Sequence, residues 1–339
     1  MSIESTPASA NRYDVADRAP FRVTDLMLRW ETILVLLLAA VMIFNTWISP
    51  YFLDIYNLSD ATFNFSEKAI VALSMALLII SRDIDLSVAA IIAVASLAMG
   101  EASVAGASMP VLILIGLGVG AACGAFNGAL VTGFGLPAIV VTIGTMSLFR
   151  GLAQVVLGDQ AITTYPASFA AVGQGYLAPG VPIPISFTVF LVLAAVFGFV
   201  LHRTVIGRRI FALGNNPVAA RFSGIAVGRI RFWLFVLSGL MAGLAAVFLT
   251  ARIGSTRPNI ALGFELEVVT MAVLGGVSIA GGSGTILGVV LSVFVLGFTT
   301  RGLSLVNVPG IVINVLNGSL LIAAISLPII ARRFLARRT

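Results

Sequence analysis

Ten long apolar runs, each closed by glycine, proline or a polar cluster, leave this chain few folds to choose from. They fall near residues 31–49, 67–81, 85–100, 110–132, 137–157, 184–202, 231–251, 265–280, 284–303 and 309–330. A helix needs about twenty apolar residues to cross a bilayer, and a lipid-exposed backbone must satisfy its own N–H and C=O groups. With 59% hydrophobic and 10% charged residues, the chain is outside the range of water-soluble domains. The sequence therefore predicts an all-α polytopic membrane protein of about ten transmembrane helices. The first run starts near Thr32 without a small-residue cleavage pattern after it, so it reads as a retained span. Runs two, three and eight are short, which predicts tilted, broken or re-entrant segments covered by protein.

Charge sets the orientation. Arginines gather before the first run (Arg12, Arg18, Arg22, Arg29), in the loop after the sixth (Arg203, Arg208, Arg209, Arg221, Arg229, Arg231) and at the end (Arg332, Arg333, Arg337, Arg338). An even number of spans puts all three clusters on one side, and the positive-inside rule makes that side the cytoplasm, with both termini there. The opposite side keeps only Lys68, Arg252, Arg257 and Arg301. The expected organisation is a cytoplasmic tail (1–30), a transmembrane domain (31–330) with a cytoplasmic loop (203–230), and a basic tail (331–339). The net charge of +6 is thus explained by membrane topology, with lipid rather than nucleic acid as the partner.

The loop from His202 to Arg231 is the one long polar stretch between apolar runs. Gly214-Asn215-Asn216-Pro217 reads as a helix stop followed by an N-cap, and Val218–Phe222 as a short surface helix ending near Gly224. A short ordered helix in a basic cytoplasmic loop is a docking element.

Several chemistries are missing. Lys68 is the only lysine and follows no glycine-rich loop, so the chain has no phosphate-binding loop of its own. Neither a nucleophile elbow nor a zinc motif is present, so the chain reads as a non-enzyme that binds no metal or cofactor. Cys123 reads as a small packing residue and His202 as an interfacial one. The acids Asp83, Asp85, Glu101, Glu265 and Glu267 stand at the ends of runs, and Arg150 is the one charge expected within a run. Asp83, Asp85 and Arg150 are the gating candidates, Arg150 reading equally as a residue that snorkels to the interface. Asn127, Thr142, Thr145, Asn314 and Asn317 are the solute-path candidates, since amides and hydroxyls within runs are few; interhelical hydrogen bonds would explain each as well.

Gly116, Gly120, Gly124 and Gly128 form a strip at i, i+4 spacing, and Ser238, Gly239 and Gly243 another. Tight packing is the plain expectation, a pathway or subunit interface the sharper one. Met75–Leu78 before Ile84–Ser87 echoes Met271–Leu274 before Gly281–Gly284, a faint parallel repeat. The loop from 158 to 184, rich in proline and glycine, predicts turns and a short helix near 166–172.

Several ordered blocks carry a resemblance. They are Ile84–Val88; Asn127-Gly128 with Leu136-Pro137, Val141–Met146 and Phe149–Gly151; Thr204, Gly207-Arg208, Ala212, Gly214-Asn215, Ala219-Ala220 and Ser223–Ile225; and Leu237–Gly239, Arg252, Pro258, Gly263, Glu265-Leu266, Leu274–Ser278 and Gly281–Thr285. The chain resembles the permease subunits of ribose-type bacterial ABC sugar importers, most of all the rhamnose and autoinducer-2 types. The resemblance implies an inner-membrane permease that translocates a monosaccharide, with rhamnose as the first guess. It also implies a second permease copy or a sister permease, cytoplasmic ABC ATPases that use ATP-Mg, and a periplasmic sugar-binding protein. The 203–230 loop would hold the coupling helix, with Gly214, Asn215, Asn216, Pro217, Ala219, Ala220, Arg221, Ser223 and Gly224 as coupling residues. Asp83 stands where many relatives carry glycine, and Arg301-Gly302 where many carry Asn-Gly. A stand-alone secondary transporter or facilitator is the alternative.

Overall fold

The computed structural model describes residues 29–336, with side chains described to 324 and at 326. Positions 1–28 of the expected tail and the side chains of 331–339 lie outside the described residues. A helix occupies each of the ten apolar runs. They are α1 (Trp30–Ile48), α2 (Ile55–Ile80), α3 (Val88–Val104), α4 (Met109–Gly133) and α5 (Ala138–Leu157), then α7 (Ile185–Arg203), α10 (Val227–Ile253), α11 (Phe264–Leu274), α12 (Ile286–Leu305) and α13 (Gly310–Ala336). Seven of these, α1, α2, α4, α5, α7, α10 and α12, are long and apolar enough to cross a membrane. Between α5 and α7 lie α6 (Ala167–Gln174) and a hairpin of β1 (Tyr176–Ala178) and β2 (Val181–Pro184). Between α7 and α10 lie α8 (Val205–Asn215) and α9 (Pro217–Phe222). The short helix expected near 166–172 is α6; the hairpin was not foreseen.

Run two is not a short span. Asp54 caps the helix by accepting from the N–H groups of Tyr56 and Asn57, and α2 continues for 26 residues, about 39 Å at 1.5 Å per residue. Hydropathy hid its first half because Asn57, Asp60, Asn64 and Glu67 are polar. Run eight is short: α11 has 11 residues, and the backbone then leaves the helix through Gly275 and Gly276. Gly276 packs against the Trp30 indole, whose Nε1 donates to the Leu274 carbonyl at 2.8 Å. Protein thus covers the place where the helix breaks.

Helix α2 is the centre of the molecule. It is apolar around most of its circumference, and from Phe65 to Ile80 only Lys68 is not fully buried. It packs against α7, α10, α11 and α12. Helices α3, α4 and α5 lie beyond α10, while α1 covers α12 and α13 covers α11. Residues such as Ile43, Leu114, Val155 and Ile311 turn outward from α1, α4, α5 and α13, as a lipid-facing surface requires.

The two small-residue strips are each other's partners. A Cβ at Gly120 would strike the Gly239 carbonyl, and one at Gly124 the Phe235 carbonyl, so α4 and α10 meet backbone to backbone. Tight packing therefore accounts for both strips. Gly120→Val is expected to destabilise the protein by about 3 kcal/mol or more, because backbone cannot yield as a side chain does. Gly118→Val faces open space on the same helix and is expected to change little. Thermal unfolding in detergent compares the two; equal melting points would contradict this account of the strip.

Candidate functional site

At the end of the bundle that carries the basic loop, Thr204 caps α8, its hydroxyl accepting from the Gly207 N–H at 3.4 Å. Helix α8 stops at Asn215, and Asn216 starts α9 by accepting from the N–H groups of Val218 and Ala219, both at 3.0 Å, with Pro217 as the first helical residue. Helix α9 ends at Ser223, and Gly224 turns the chain at φ +80°. The helix stop, the N-cap and the short surface helix read from the loop sequence are all present. Ala220 is the buried residue of α9, while Val218, Ala219, Arg221, Phe222, Ser223 and Gly224 are exposed. Phe222 is 89% exposed, an unusual place for an aromatic ring at the polar end of a membrane protein.

This surface helix is clamped to the bundle through the 81–87 segment. Arg82 has a left-handed φ of +69°, which a branched-free but bulky residue adopts only when held. Its guanidinium donates to the last carbonyls of α8, from Nε to Gly214 O at 2.6 Å and from Nη2 to Asn215 O at 2.8 Å. Gly214 lies against the Ile80 carbonyl and Gly282, leaving no room for a Cβ. Gly282 N–H donates to Ile80 O at 2.9 Å. The two segments that echo each other in sequence thus meet beneath the end of α8.

The next residue reaches α10. Asp83, with its side chain 1% exposed, receives both forks of Arg231, Nε to Oδ2 at 2.6 Å and Nη2 to Oδ1. Asp85, fully buried, accepts from the Ser87 N–H at 3.0 Å, the Ser87 hydroxyl at 2.6 Å and the Ser238 hydroxyl at 3.0 Å. Asn127 of α4 donates to the Ser87 hydroxyl at 2.8 Å, and Thr142 of α5 donates to the Ile84 carbonyl at 3.3 Å. Seven residues of loop therefore hold α4, α5, α8 and α10 together.

The solute-path candidates separate accordingly. Asn127 and Thr142 belong to this buried network, and Thr145 donates to the Thr142 carbonyl within its own helix. Asn314 and Asn317 lie on α13, the first exposed and the second buried. None of the five lines the cavity of about 630 Å³ between α2, α10, α11 and α12. Arg150 does not snorkel: it donates to the Pro258 and Ile260 carbonyls, both at 2.8 Å, fixing the loop before α11.

The expectation that acids stand only at the ends of runs is overturned. Glu67 and Lys68 lie halfway along α2. Glu67 Oε1 accepts from Arg252 Nε at 2.7 Å, Lys68 Nζ donates to Glu267 Oε2 at 2.6 Å, and Arg301 Nη1 pairs with Asp60 Oδ2 at 2.6 Å. Their signal was present as charges in apolar surroundings, but only the packing pairs them. Nearby, burial pushes the Tyr165 phenol above its ordinary pKa, and its hydrogen bond with the Thr256 hydroxyl opposes that.

A bundle of membrane-length apolar helices around a buried central span, with a capped and exposed surface helix at its polar end, has the build of a membrane transport subunit. Residues 57–325 match the family described as branched-chain amino acid transport system / permease component, and the chain belongs to it. Over 307 residues it is 35% identical to the autoinducer 2 import system permease protein LsrD of Klebsiella pneumoniae, covering 88% of this chain and 91% of the relative. It is 34% identical to the LsrD proteins of Photorhabdus temperata (87% of this chain, 90% of the relative) and Enterobacter sp. (88% and 92%). No solved structure matches the chain. The resemblance to ribose-type ABC importer permeases is thus borne out, and the chain is a multi-pass inner-membrane transport subunit rather than an enzyme.

Asp83→Ala strips Arg231, 30% exposed, of its partner. The expected cost is about 2 kcal/mol, below the 3–5 kcal/mol of a fully buried pair. Asp83→Ala/Arg231→Met is expected to regain more than half of that in thermal melts. A double variant as unstable as the single one would show that the pair is not the contact that matters.

Proposed function

We propose that this chain is the translocating subunit of an ATP-driven importer, with the α8–α9 end in the cytoplasm and both termini on that side. The observation that carries the reading is α9, a capped and pre-ordered helix that stands exposed while the segment behind it is locked to the bundle. A partner gripping Val218 and Phe222 would move α8 as a body. The Arg82 contacts would pass that motion to the end of α2, and Asp83–Arg231 would pass it to α10. This supports a coupling role for Gly214–Gly224 and a gating role for Asp83 and Asp85. Arg150 would act at the opposite end through the loop it holds.

ATP-Mg belongs to the ATPase partner, since the only lysine here lies within α2. A second permease, either a copy or a sister chain, and a periplasmic binding protein complete the assembly. The solute is a small carbohydrate-like molecule. The relatives named above are autoinducer 2 permeases, so autoinducer 2 is the first solute to test; rhamnose has no support from them.

Val218→Asp/Phe222→Asp puts charge on the exposed face of α9 and leaves its cap untouched. ATP-dependent uptake of autoinducer 2 by cells carrying the full importer is expected to fall at least about 100-fold, as for the loss of two interface anchors. Co-purification of the ATPase should be lost and the melting point kept. Uptake that continues unchanged, or that survives ATP depletion, would point to a gradient-driven facilitator.

A further inference from the structure

The four cations on the side away from the basic loop converge on the cavity of about 630 Å³, which opens between α2, α10, α11, α12 and the 254–263 segment. Lys68, Arg252, Arg257 and Arg301 all line it, and Glu267 is the only carboxylate among the described residues of its wall. We propose that this cavity is a site for a small organic monoanion, held by its carboxylate group. The site stands apart from the importer reading, because packing alone brings these cations together and no ATPase is needed to fill it.

Charge balance is the first observation. Glu267 pairs with Lys68, while Glu67, the partner of Arg252, and Asp60, the partner of Arg301, lie outside the wall. Asp60 is half exposed, so water screens its hold on Arg301. Arg257 forms no ion pair among the described residues. Asp159 borders a second cavity that Arg257 also lines, but it is exposed and does not pair with it. Four cations thus share three paired carboxylates, and one positive charge is left at the cavity. A single negative charge balances it; a dianion would exceed it and repel Glu267.

Hydrogen bonding agrees. Ser255 Oγ and Arg301 Nε in the wall are buried and lack a partner among the described residues. A buried donor left unpaired costs about 1–3 kcal/mol. The acceptors nearby are engaged: Glu267 Oε2 takes the Lys68 ammonium, and the Asn64 amide oxygen takes Arg252 Nη1 at 3.2 Å. The wall therefore has donors in excess, and a ligand has to bring the acceptors. A guanidinium presents its N–H groups as a fork that a carboxylate fills with both oxygens, and that of Arg257 is unclaimed by any carboxylate. Phe65, Leu249 and Leu296 supply apolar wall, and the Phe264 ring lies 4.6 Å from the Lys68 ammonium. Such a surface suits a carbon skeleton better than a bare inorganic ion, and the volume is that of a small-molecule site.

The test is saturation-transfer NMR on the full-length chain in nanodiscs of zwitterionic lipid, at low salt and without ATPase. D-gluconate and D-glucitol share a polyol chain and differ in one carboxylate; L-lactate is a smaller carboxylate. Each is used at up to about 20 mM to cover a weak, millimolar site. Transfer to a carboxylate is expected, with glucitol at least about tenfold weaker than gluconate. Arg257→Gln is expected to weaken carboxylate binding about tenfold, as for the loss of a charge-assisted contact. Arg257→Glu, which supplies the missing charge from the wall itself, is expected to abolish it, with the melting point kept in both variants. Arg209→Gln removes the same charge from an exposed position of α8 and is expected to leave binding unchanged. No transfer to either carboxylate, equal transfer to glucitol and gluconate, or binding undiminished by Arg257→Gln overturns the proposal. Equal weakening by Arg257→Gln and Arg209→Gln also overturns it, since that marks attraction to the protein's overall charge. Inorganic phosphate that displaces gluconate at a lower concentration than gluconate itself needs overturns the carboxylate in favour of a phosphate group.

Discussion

A charge in the interior of a membrane protein must find a partner, and α2 carries two. Glu67 and Lys68 sit on the central helix, where an unpaired ion costs several kcal/mol, and the half-exposed Asp60 precedes them on the same helix. Their partners are Arg301 on α12, Arg252 on α10 and Glu267 on α11. These pairs determine which helices surround α2 at that end and at what height each stands. Apolar packing alone would tolerate sliding and rotation among surfaces that are all equally greasy. Lys68, Glu267, Arg252 and Arg301 of these pairs also line a cavity of about 630 Å³.

At its other end α2 is held by backbone. The Ile80 carbonyl takes the Gly282 N–H, and the adjoining loop holds α8 through Arg82 and α10 through Asp83. One helix about 39 Å long thus joins the exposed surface helices to the ion pairs at the other end. A rigid helix with specific contacts at both ends is a direct way to let events at one face bias the other, without a charge or solute crossing between them.

Other parts of the bundle suit a static role. The α4–α10 contact is backbone against backbone over several turns, and any shift along it would drive glycine Cα atoms into carbonyl oxygens. Helix α3 is pinned at its start by the Asp85 network to both of these helices. The α3–α4–α10 group is therefore one packed unit, and α8 and α9 meet α10 through the small apolar cluster of Leu213, Ala220 and Val227.

Much of this was legible in the residues. Apolar runs located ten helices because hydrocarbon solvation acts on each run separately, and Asn216-Pro217 announced a capped surface helix because capping is local. The glycine strips announced close approach, though not that the two strips face each other. The start of α2 was hidden because Asp60, Asn64 and Glu67 look polar until the helices that satisfy them are in place. Asn127 and Thr142 were visible as polar groups in spans, but nothing in the chain's order said that they close a loop network. Pairings such as Glu67 with Arg252, 185 positions apart, are properties of packing. The sequence by itself determined the membrane class, the helices and the capped surface helix, because those follow from the solvation and hydrogen bonding of neighbouring residues. Only the tertiary structure decided which charges meet, because distance in space is independent of distance along the chain.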